Sequence, residues 1–599
     1  MEIKPREDTL RLIDMYEKLE PQSAIYAYAQ TIRKSPPEAD IKSEDNLISF
    51  LRNEGRTIVD LGNALTKAAN DKARPRNKLT SNELVYLILL YIPTINLMTS
   101  SGKGTLAHYQ FFDDMGKQGI YAIGEDYTDR LFYRVSSTIT ASELKTAKER
   151  LKAFASPARE NDDKSKIIVG NGIYDRNTNT LLPFTPERIF TSKIKTKYNP
   201  DAKLTVIHND KDGTNWDIET WLKDIAGANV GEYDEDTYKL FWQIISATVA
   251  PGTVKGRALF FYQRKGGGGK GTFGQLLKNI VGPGNYSSLP IKAFNHNFMK
   301  ELIIGKSLNI ADENPVDEYI DDVMDFKASV TGDDVLIDIK SKTPIVIQPR
   351  MVNIQMLNGY PKTKDKSGSF YRRILFIPFL KSFTHEDPKN GVVKSERKYI
   401  KDDYINRDEV LEYVLKTALE MEPFDDFITP KRSLEILEDY KEANDSVAEF
   451  WNYAITKMVW DIYPWKFLFE FYKAWFAKYK RGDKYVQYTT FREQIADIIE
   501  NNKNYECRDP RNKKHKSPFN VGNAMDRDEP LITKFGIKDY YNPNVDPKKA
   551  DATTLRQFKK PTTAWGVRRI NKVDYNDPDN VKNDIWQPTW HDQINASKL

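Results

Sequence analysis

Four successive glycines followed by a lysine are the residues of this sequence whose types and spacing point most directly to chemistry. They are Gly266, Gly267, Gly268 and Gly269, followed by Lys270, Gly271 and Thr272. Backbone N–H groups in such a loop, and at the helix N-terminus after it, point at phosphate oxygens. A lysine here reaches the β- and γ-phosphates, and a hydroxyl after it holds Mg²⁺. The stretch therefore predicts a site for ATP, with Thr272 as a ligand of Mg²⁺.

The segments on either side of the glycines have the patterns that such a loop requires. Residues 258–262 form a short apolar run typical of a buried strand. After the loop, apolar residues recur at helical spacing, and Gly282 and Pro283 predict the end of that helix. The apolar residues are Phe273, Leu276, Leu277 and Ile280. A flexible linker is the alternative interpretation, but linkers rarely lie between a regular strand and a regular helix.

The loop departs from the usual pattern at one position. Ser or Thr normally follows the lysine directly, whereas this sequence has Gly271 there and Thr272 one residue later. Adenylate kinases are similar, since they have the same Gly-Lys-Gly-Thr order. The departure therefore bears on the identity of the Mg²⁺ ligand rather than on nucleotide binding. This order alone also suggests a small-molecule kinase.

Two adjacent acidic residues follow the next clear strand candidate. Residues 308–311 form a short, mostly apolar run, and Asp312 and Glu313 come directly after it. Ligands of open parallel sheets lie at the carboxyl ends of the strands, so these acids should lie beside the glycine loop. We assign Asp312 to the Mg²⁺ shell and Glu313 to polarising the attacking water.

Three further polar residues complete the candidate catalytic set. Asn358 ends an alternating apolar strand, where its amide could orient the lytic water and sense the γ-phosphate. Arg372 and Arg373 precede another buried strand and could place a guanidinium at a subunit edge. An arginine supplied in trans accelerates phosphoryl transfer by about 10³–10⁵. Either arginine fits that role. Without the other motifs, the arginine pair would be interpreted as a solvated basic turn. Asn358 and the arginine pair together argue against a small-molecule kinase.

Taken in order, these motifs resemble those of the superfamily 3 helicases. The matching set is Lys270, Asp312 with Glu313, the segment from Thr331 to Lys342, Asn358, and Arg372 with Arg373. These residues occupy the Walker A, Walker B, B′, sensor 1 and arginine-finger positions. From about residue 107 to 480 the chain resembles in particular the D5-like replicative helicases of phages, plasmids and mobile genomic islands. The run from Val169 to Asp175 is similar to the N-terminal module of D5.

The resemblance implies an AAA+ ATPase that assembles as a homo-hexameric ring around DNA. In this family the B′ segment forms a β-hairpin that lines the central channel, and its basic residues grip single-stranded DNA. Lys340 and Lys342 occupy those positions here. Lysines on a ring of hairpins would make sequence-independent phosphate contacts that move as each site hydrolyses ATP.

Composition limits the class of protein. A chain of 599 residues should contain several domains, and an apolar content of 40% is enough for hydrophobic cores. No apolar run is long enough to cross a bilayer, and the first residues lack the apolar region of a signal peptide. The only cysteine, Cys507, excludes an internal disulfide framework. We therefore expect a protein of the bacterial host cytoplasm with no membrane partner; a net charge of +5 permits a nucleic-acid partner without requiring one.

The predicted architecture is a multidomain α/β protein around a central AAA+ P-loop ATPase with a parallel sheet. The expected parts are a helical domain (1–100), an α+β module like the D5 N-terminus (101–235), the ATPase core (236–400), and a helical and winged-helix-like DNA-binding region (401–599). Basic stretches at 508–516 and 559–569 could touch duplex DNA, although exposed basic loops fit them equally well.

Local patterns give several shorter predictions. Residues 131–135 and 531–536 are predicted as strands, and Thr490 with Glu493 as a capping box that opens a helix. Residues 101–105 repeat the Gly-Lys-Gly-Thr order, but no upstream glycine or following helix accompanies them. We interpret them as a turn rather than a second phosphate loop.

The function predicted from the sequence is an ATP-dependent hexameric DNA helicase that replicates a phage or mobile element. One alternative is an origin-binding initiator whose ATPase controls assembly, so that the partner would be origin duplex. Another is the helicase part of a primase–helicase, or a protein that recruits a separate primase or polymerase. An internal primase is disfavoured, because the first 110 residues contain no zinc cluster and no convincing Asp-x-Asp strand motif.

Overall fold

The structure is a computed structural model of the whole chain. It describes residues 4–18, 23–113, 116–209, 214–227, 233–254, 256–263, 267–312, 314, 319–320, 322–340, 344–363, 365, 367–379, 398–479, 485–500, 504–526, 529–540 and 561–570. Gly266, Glu313 and Lys342 of the predicted site lie outside these residues. The chain divides into two compact units, Met1–Leu437 and Glu438–Leu599. Each is described by itself.

The first unit begins with helices, as predicted. They are α1 (Glu7–Glu17), α2 (Ala24–Lys34), α3 (Glu44–Ala69) and α4 (Ser81–Tyr91). Helix α4 is buried along its length and starts with a capping box, in which the Thr80 hydroxyl accepts from the Glu83 N–H and the Glu83 carboxylate accepts from the Thr80 N–H. Apolar residues of all four helices share one core.

A small mixed sheet follows the helices. Its elements are β1 (Thr94–Met98), β2 (Gly104–Tyr109), β3 (Tyr121–Ile123), α5 (Glu125–Val135), α6 (Ala141–Phe154) and β4 (Ser156–Ala158), with strand order β3-β2-β1-β4. Residues 101–103 form the turn between antiparallel β1 and β2. The second Gly-Lys-Gly-Thr stretch is therefore a hairpin turn that runs into β2, as predicted.

The predicted strand at residues 131–135 is wrong, because these residues end helix α5. Leu131, Phe132 and Val135 are buried in the helical core, whereas Tyr133 between them is exposed. A five-residue apolar run fits either a strand or one face of a helix. Packing against the N-terminal helices selects the helix.

The next part of the first unit matches the predictions. Strands β5 (Lys166–Val169), β6 (Gly172–Asp175) and β7 (Thr180–Leu182) form an antiparallel meander. They are followed by β8 (Ile207–Asn209), β9 (Thr214–Trp216), α7 (Ile218–Ile225) and α8 (Glu235–Val249).

The centre of the first unit is a five-stranded, fully parallel sheet. Its region contains β10 (Ala258–Tyr262), α9 (Lys270–Val281), β11 (Tyr286–Ser287), β12 (Leu308–Ala311), β13 (Tyr319–Ile320), α10 (Met324–Thr331), β14 (Val335–Ile337), β15 (Ile345–Ile347), β16 (Val352–Leu357), β17 (Lys362–Thr363), α11 (Gly368–Tyr371) and β18 (Ile374–Pro378). The strand order is β11-β12-β16-β10-β18. Strands β12, β16 and β18 are buried at every residue, as expected for a sheet covered on both faces.

Helix α9 packs closely on this sheet. A Cβ added at Gly274 would lie 2.1 Å from the Met356 Cε atom, so the glycine allows the helix to approach the strands. Helices α12 (Lys398–Asp402), α13 (Asp408–Glu420) and α14 (Lys431–Asn444) follow. Buried residues of α13 belong to the same core as those of β10, α9 and β16.

The second unit combines helices with a three-stranded antiparallel sheet. Its elements are α15 (Ser446–Ile455), β19 (Ile462–Pro464), α16 (Trp465–Tyr479), α17 (Tyr488–Glu500), β20 (Tyr505–Arg508), β21 (Phe519–Asn520), α18 (Pro530–Phe535), β22 (Thr563–Ala564) and β23 (Gly566–Arg569). The strand order is β19-β23-β20. None of the helices described in either unit is long and apolar enough to span a bilayer.

Two predictions in the second unit are wrong. Residues 531–536 form helix α18 and its C-cap, with Pro530 in the first turn and Gly536 at a φ of 63°. Proline at the start and glycine just past the end are helix signals that outweigh a short apolar run. Helix α17 begins at Tyr488, so Thr490 and Glu493 lie inside it and form no capping box.

Candidate nucleotide site

The glycine loop has the backbone geometry of a tight turn into a helix. Gly267 and Gly269 have φ angles of 87° and 90°, in the left-handed region that favours glycine. A Cβ at Gly268 would lie 2.1 Å from the Gln263 side-chain oxygen, whereas a Cβ at Gly271 would meet nothing within 4 Å. The loop then opens directly into α9, which starts at Lys270 and ends before Gly282, as predicted.

Lys270 lies at the junction of the loop and the neighbouring strand. Its Nζ donates to the Leu357 carbonyl and to the Asn358 Oδ1 atom, at 2.6 Å each. Strands β10 and β16 are adjacent and parallel, with Tyr262 opposite Leu357, so the loop and Asn358 come to the same edge. The structure therefore brings together two residues that the sequence placed in one site.

The Lys270 ammonium is buried, and it has no negative partner among the described residues. The side chain is 9% exposed, and no carboxylate among the described residues lies within ion-pair distance of it. Burial lowers the pKa of Lys270 to about 8, because desolvation disfavours the charged form. Such a cation favours an anionic ligand, and a phosphate fits this position.

Asp312 lies at the same edge of the sheet. It follows β12, which is adjacent and parallel to β16. Its Oδ2 accepts a 2.9 Å hydrogen bond from the Nζ of Lys278 on α9, and its side chain is 57% exposed. The sequence did not single out Lys278, since one lysine on a helix surface carries no signal.

Thr272 lies half-buried in the first turn of α9. Its side chain makes no hydrogen bond to Asp312 in the part of the chain that the structure describes. Both residues nevertheless carry oxygen atoms of the kind that Mg²⁺ takes in nucleotide sites. The donor set fits the metal, with Lys278 holding one of the two candidate ligands.

The two arginines differ in their surroundings. Arg373 donates to the Ser369 carbonyl at 2.6 Å and to the Ser369 hydroxyl at 3.1 Å. Arg372 is exposed, and within the described ranges its guanidinium makes neither a hydrogen bond nor an ion pair. Its carbonyl accepts from Arg257.

The arginine pair lies at the sheet edge opposite the glycine loop. Arg373 precedes β18, and its carbonyl accepts from the Ala258 N–H at the start of β10. The loop instead follows the end of β10, and a strand of this length spans about 16 Å. Arg372 and Arg373 are therefore far from the loop of their own chain.

A β-hairpin begins in the segment that the sequence assigns to B′. Strands β14 and β15 pair antiparallel, with Val335 opposite Ile347. Lys340 is exposed beyond the end of β14. Because β15 leads into the start of β16, the hairpin lies at the sheet edge that carries the arginines.

Three segments of the chain match known family models. Residues 30–227 match "D5 N terminal like", residues 261–373 match a family of unknown function (DUF5906), and residues 442–534 match "Poxvirus D5 protein-like". Two of the three matched segments are D5-like. The first match starts well before the resemblance noted in the sequence, within helix α2. The middle match covers the glycine loop, Asp312, Asn358 and both arginines.

Similar solved structures have low identity. One, "The apo structure of NrS-1 C terminal region (305-718)", is 12% identical with a TM-score of 0.33, and covers 58% of this chain and 74% of that chain. An A form of the same region is 11% identical with a TM-score of 0.34, and covers 71% of this chain and 87% of that chain. No curated protein matches the chain.

Proposed function

We propose that this protein is an ATP-dependent DNA helicase of phage or viral replication that works as a homo-hexameric ring. The observation that carries the proposal is the buried Lys270 ammonium at the mouth of a glycine loop, joined to Asn358 on the next strand. The D5-like matches on both sides of this core support a role in replication. The pairing of a phosphate loop with a strand-end amide favours nucleotide hydrolysis over simple binding.

The chain's own residues account for how ATP would be bound. Lys270 leaves the Leu357 carbonyl and Asn358 and turns its ammonium to the β- and γ-phosphates. The backbone N–H groups of Gly267 to Lys270 surround the same oxygens. The exchange releases the Asn358 amide, which can then orient the attacking water.

Thr272 and Asp312 would hold Mg²⁺. When bound, the metal neutralises charge on the β- and γ-oxygens. Asp312 must release Lys278 for this role, and Lys278 then remains available as a further cation near the phosphates. Glu313, which the sequence assigns to polarising the water, lies outside the described residues.

A neighbouring copy of the chain would complete the site. The arginine pair lies at the opposite edge of its own sheet, so it can reach only the nucleotide of another subunit. Arg372 is the better candidate for the finger, because its guanidinium is exposed while that of Arg373 holds Ser369.

The DNA strand would pass the β14–β15 hairpin. Lys340, with Lys342 beyond the described residues, would contact its phosphates without reading sequence. Six such hairpins that move in turn as ATP is hydrolysed would carry the strand through the ring.

The test is ATP turnover with and without single-stranded DNA. The wild-type protein should hydrolyse ATP faster when DNA is present, and Lys270→Ala should abolish turnover in both conditions because the phosphates lose their buried cation. Gly271→Ala is the matched control, since its Cβ meets nothing within 4 Å. Normal turnover by Lys270→Ala would rule out the site.

An origin-binding initiator is the second candidate. The element order of the second unit supports it. α15, β19, α16, α17, β20 and β23 come in this order, with β21, α18 and β22 between the last two, and β19, β23 and β20 form one sheet; this order is typical of a winged helix. A strand-displacement assay separates the two functions. DNA binding and ATP turnover without unwinding of a forked duplex would favour the initiator.

A further inference from the structure

The helix that would read DNA in the second unit has the wrong charge for that role. Helices α16 and α17 are consecutive, and in helix-turn-helix proteins the second of two such helices enters the major groove. The exposed charged residues of α17 are Glu493, Asp497 and Glu500. Glu493 pairs with Arg511, but Asp497 and Glu500 would still meet the phosphates with negative charge.

The only basic residue of α17 is not available to DNA. Arg492 is buried, and its guanidinium binds both carboxylate oxygens of Asp509, with one hydrogen bond of 3.0 Å from Nε. The basic residue of this helix therefore serves to hold the segment that follows β20. We call that segment, residues 509–517, the basic loop.

The basic loop is fixed at its first residue. The Asp509 carboxylate binds Arg492 and accepts a 2.8 Å hydrogen bond from the Arg511 N–H. The Asp509 N–H donates to the His515 Nδ1 atom at 3.0 Å, which draws the two halves of the loop together. A buried carboxylate with this many donors positions the loop rather than leaving it as a loose coil.

The far end of the basic loop is fixed as well. Arg508 donates to the carbonyls of Ser517 and Pro518, at 3.2 and 3.1 Å. Its guanidinium lies 4.4 Å from the centre of the Phe519 ring, and Arg568 lies at 4.7 Å from the same ring. Phe519 is buried, so these contacts tie the loop to the core of the unit.

Three lysines project from this fixed loop. Lys513, Lys514 and Lys516 are exposed, and among the described residues none of them makes an ion pair or a side-chain hydrogen bond. Arg511, by contrast, is held by Asp509 and Glu493, at 3.2 and 3.3 Å. Within the described ranges, the loop therefore presents three positive charges that no ion pair compensates, on a positioned support beside the negative residues of α17.

We propose that the second unit binds the phosphate backbone of duplex DNA through the basic loop, while α17 stays outside the major groove. Charge complementarity decides the surface, since the lysines attract phosphates and the α17 face repels them. Contacts of this kind position a protein on DNA without specifying sequence. The inference concerns the second unit alone and does not depend on ATP hydrolysis.

The experiment measures binding of the full chain to a labelled duplex of arbitrary sequence, without nucleotide, over a series of salt concentrations. The variant is the triple substitution Lys513→Ala, Lys514→Ala and Lys516→Ala. Each lost phosphate contact lowers the slope of log K against log salt by about 0.9, so the slope should become shallower by about 2–3. The affinity at low salt should fall by at least about tenfold.

The matched control changes exposed residues of α17 instead. Thr489→Ala with Thr490→Ala removes side chains at the start of α17 that a groove-inserted helix would use, without changing the charge of the helix, and binding should be almost unchanged. Unchanged duplex binding by the lysine variant would overturn the proposal, as would a loss of duplex binding in the α17 variant only. The proposal would also fail if the lysine variant lost binding to single-stranded DNA but not to the duplex. Both variants should melt at the wild-type temperature, because all five residues are exposed.

The outcome is separable from that of the proposed helicase. The lysine variant should keep wild-type ATP turnover at saturating single-stranded DNA, since the hairpin with Lys340 is intact. If Lys270→Ala loses ATP turnover but binds duplex DNA normally, the basic loop proposal is still supported. If the lysine variant binds the duplex as well as the wild type does, the basic loop proposal fails, but the proposed ATPase site is unaffected.

Discussion

The environment of Lys270 explains much of the site at the scale of single residues. A buried ammonium without a carboxylate destabilises the fold unless an anion approaches. Here its hydrogen bonds run to the Leu357 carbonyl, to the Asn358 amide and, at 3.5 Å, to the Gln263 carbonyl, and a phosphate can replace each of them. In the part of the chain that the structure describes, these neutral partners leave the position open to an anionic ligand.

The glycines around this lysine should differ sharply in their tolerance of a methyl group. Gly269→Ala forces a left-handed backbone on a residue with a side chain, at about 1–2 kcal/mol, and displaces the loop. Gly271 lies within helix α9, and a methyl group there would meet no neighbouring atom within 4 Å. Because alanine has a higher helix propensity than glycine, Gly271→Ala should raise the free energy of unfolding by about 0.5–1 kcal/mol. Titration with a fluorescent ATP analogue measures nucleotide binding by the two variants, and thermal melting measures their stability.

The expected contrast is weaker nucleotide binding for Gly269→Ala and near wild-type binding for Gly271→Ala. Equal affinities of the two variants would show that the positive φ of Gly269 is not needed for the loop.

At the scale of elements, one histidine joins three of them. His108 on β2 is fully buried, with its Nδ1 atom 3.0 Å from the Thr94 hydroxyl of β1 and its Nε2 atom 2.8 Å from the Thr128 hydroxyl of α5. Burial lowers the pKa of His108 to about 3, because desolvation disfavours the charged ring. The neutral ring therefore fastens α5 to the two central strands of the small sheet.

This histidine should make the fold sensitive to mild acid. The unfolded chain binds a proton near pH 6.5 and the folded chain does not, so stability is present above that pH and is lost as the pH falls. Between pH 7 and 5 the loss from this group is about 2 kcal/mol. Urea unfolding at both pH values should show a smaller pH dependence in His108→Gln than in the wild type; an equal dependence would contradict the assignment.

Elements whose local pattern and burial agree were predictable from the sequence. The bounds of β12 were predicted at Leu308–Ala311, and α9 ends before Gly282 as its stop signals indicate. The helices at residues 131–135 and 531–536 could not be predicted from their apolar runs. A short apolar run fits either a helix or a strand, and packing or flanking proline and glycine decides between them.

Contacts between elements were harder to foresee. The Lys278–Asp312 pair depends on how α9 lies across the sheet, which residue spacing does not give. Asn309 interrupts an apolar strand in the sequence; in the fold its amide joins Ser287, Leu289 and Asn353 across neighbouring strands. Buried polar groups of this kind need partners that only the tertiary structure supplies.

At the scale of the whole molecule, the proposed catalytic set is divided between two edges of one sheet. The glycine loop lies at the carboxyl edge of the parallel sheet and the arginine pair at the amino edge. Closed rings of identical subunits place one edge of each copy against the opposite edge of the next. The separation of the two edges supports the proposal that each ATP site forms between two copies of the chain.

The most direct test of this claim mixes two inactive variants. Lys270→Ala lacks the phosphate-binding cation, and Arg372→Ala lacks the proposed finger, whose loss should lower turnover by about 10³–10⁵. In a ring that contains both, some interfaces combine an intact Lys270 with an intact Arg372. Co-expressed variants should regain DNA-stimulated ATP hydrolysis that neither shows alone, whereas a mixture as inactive as its components would contradict a site shared between subunits.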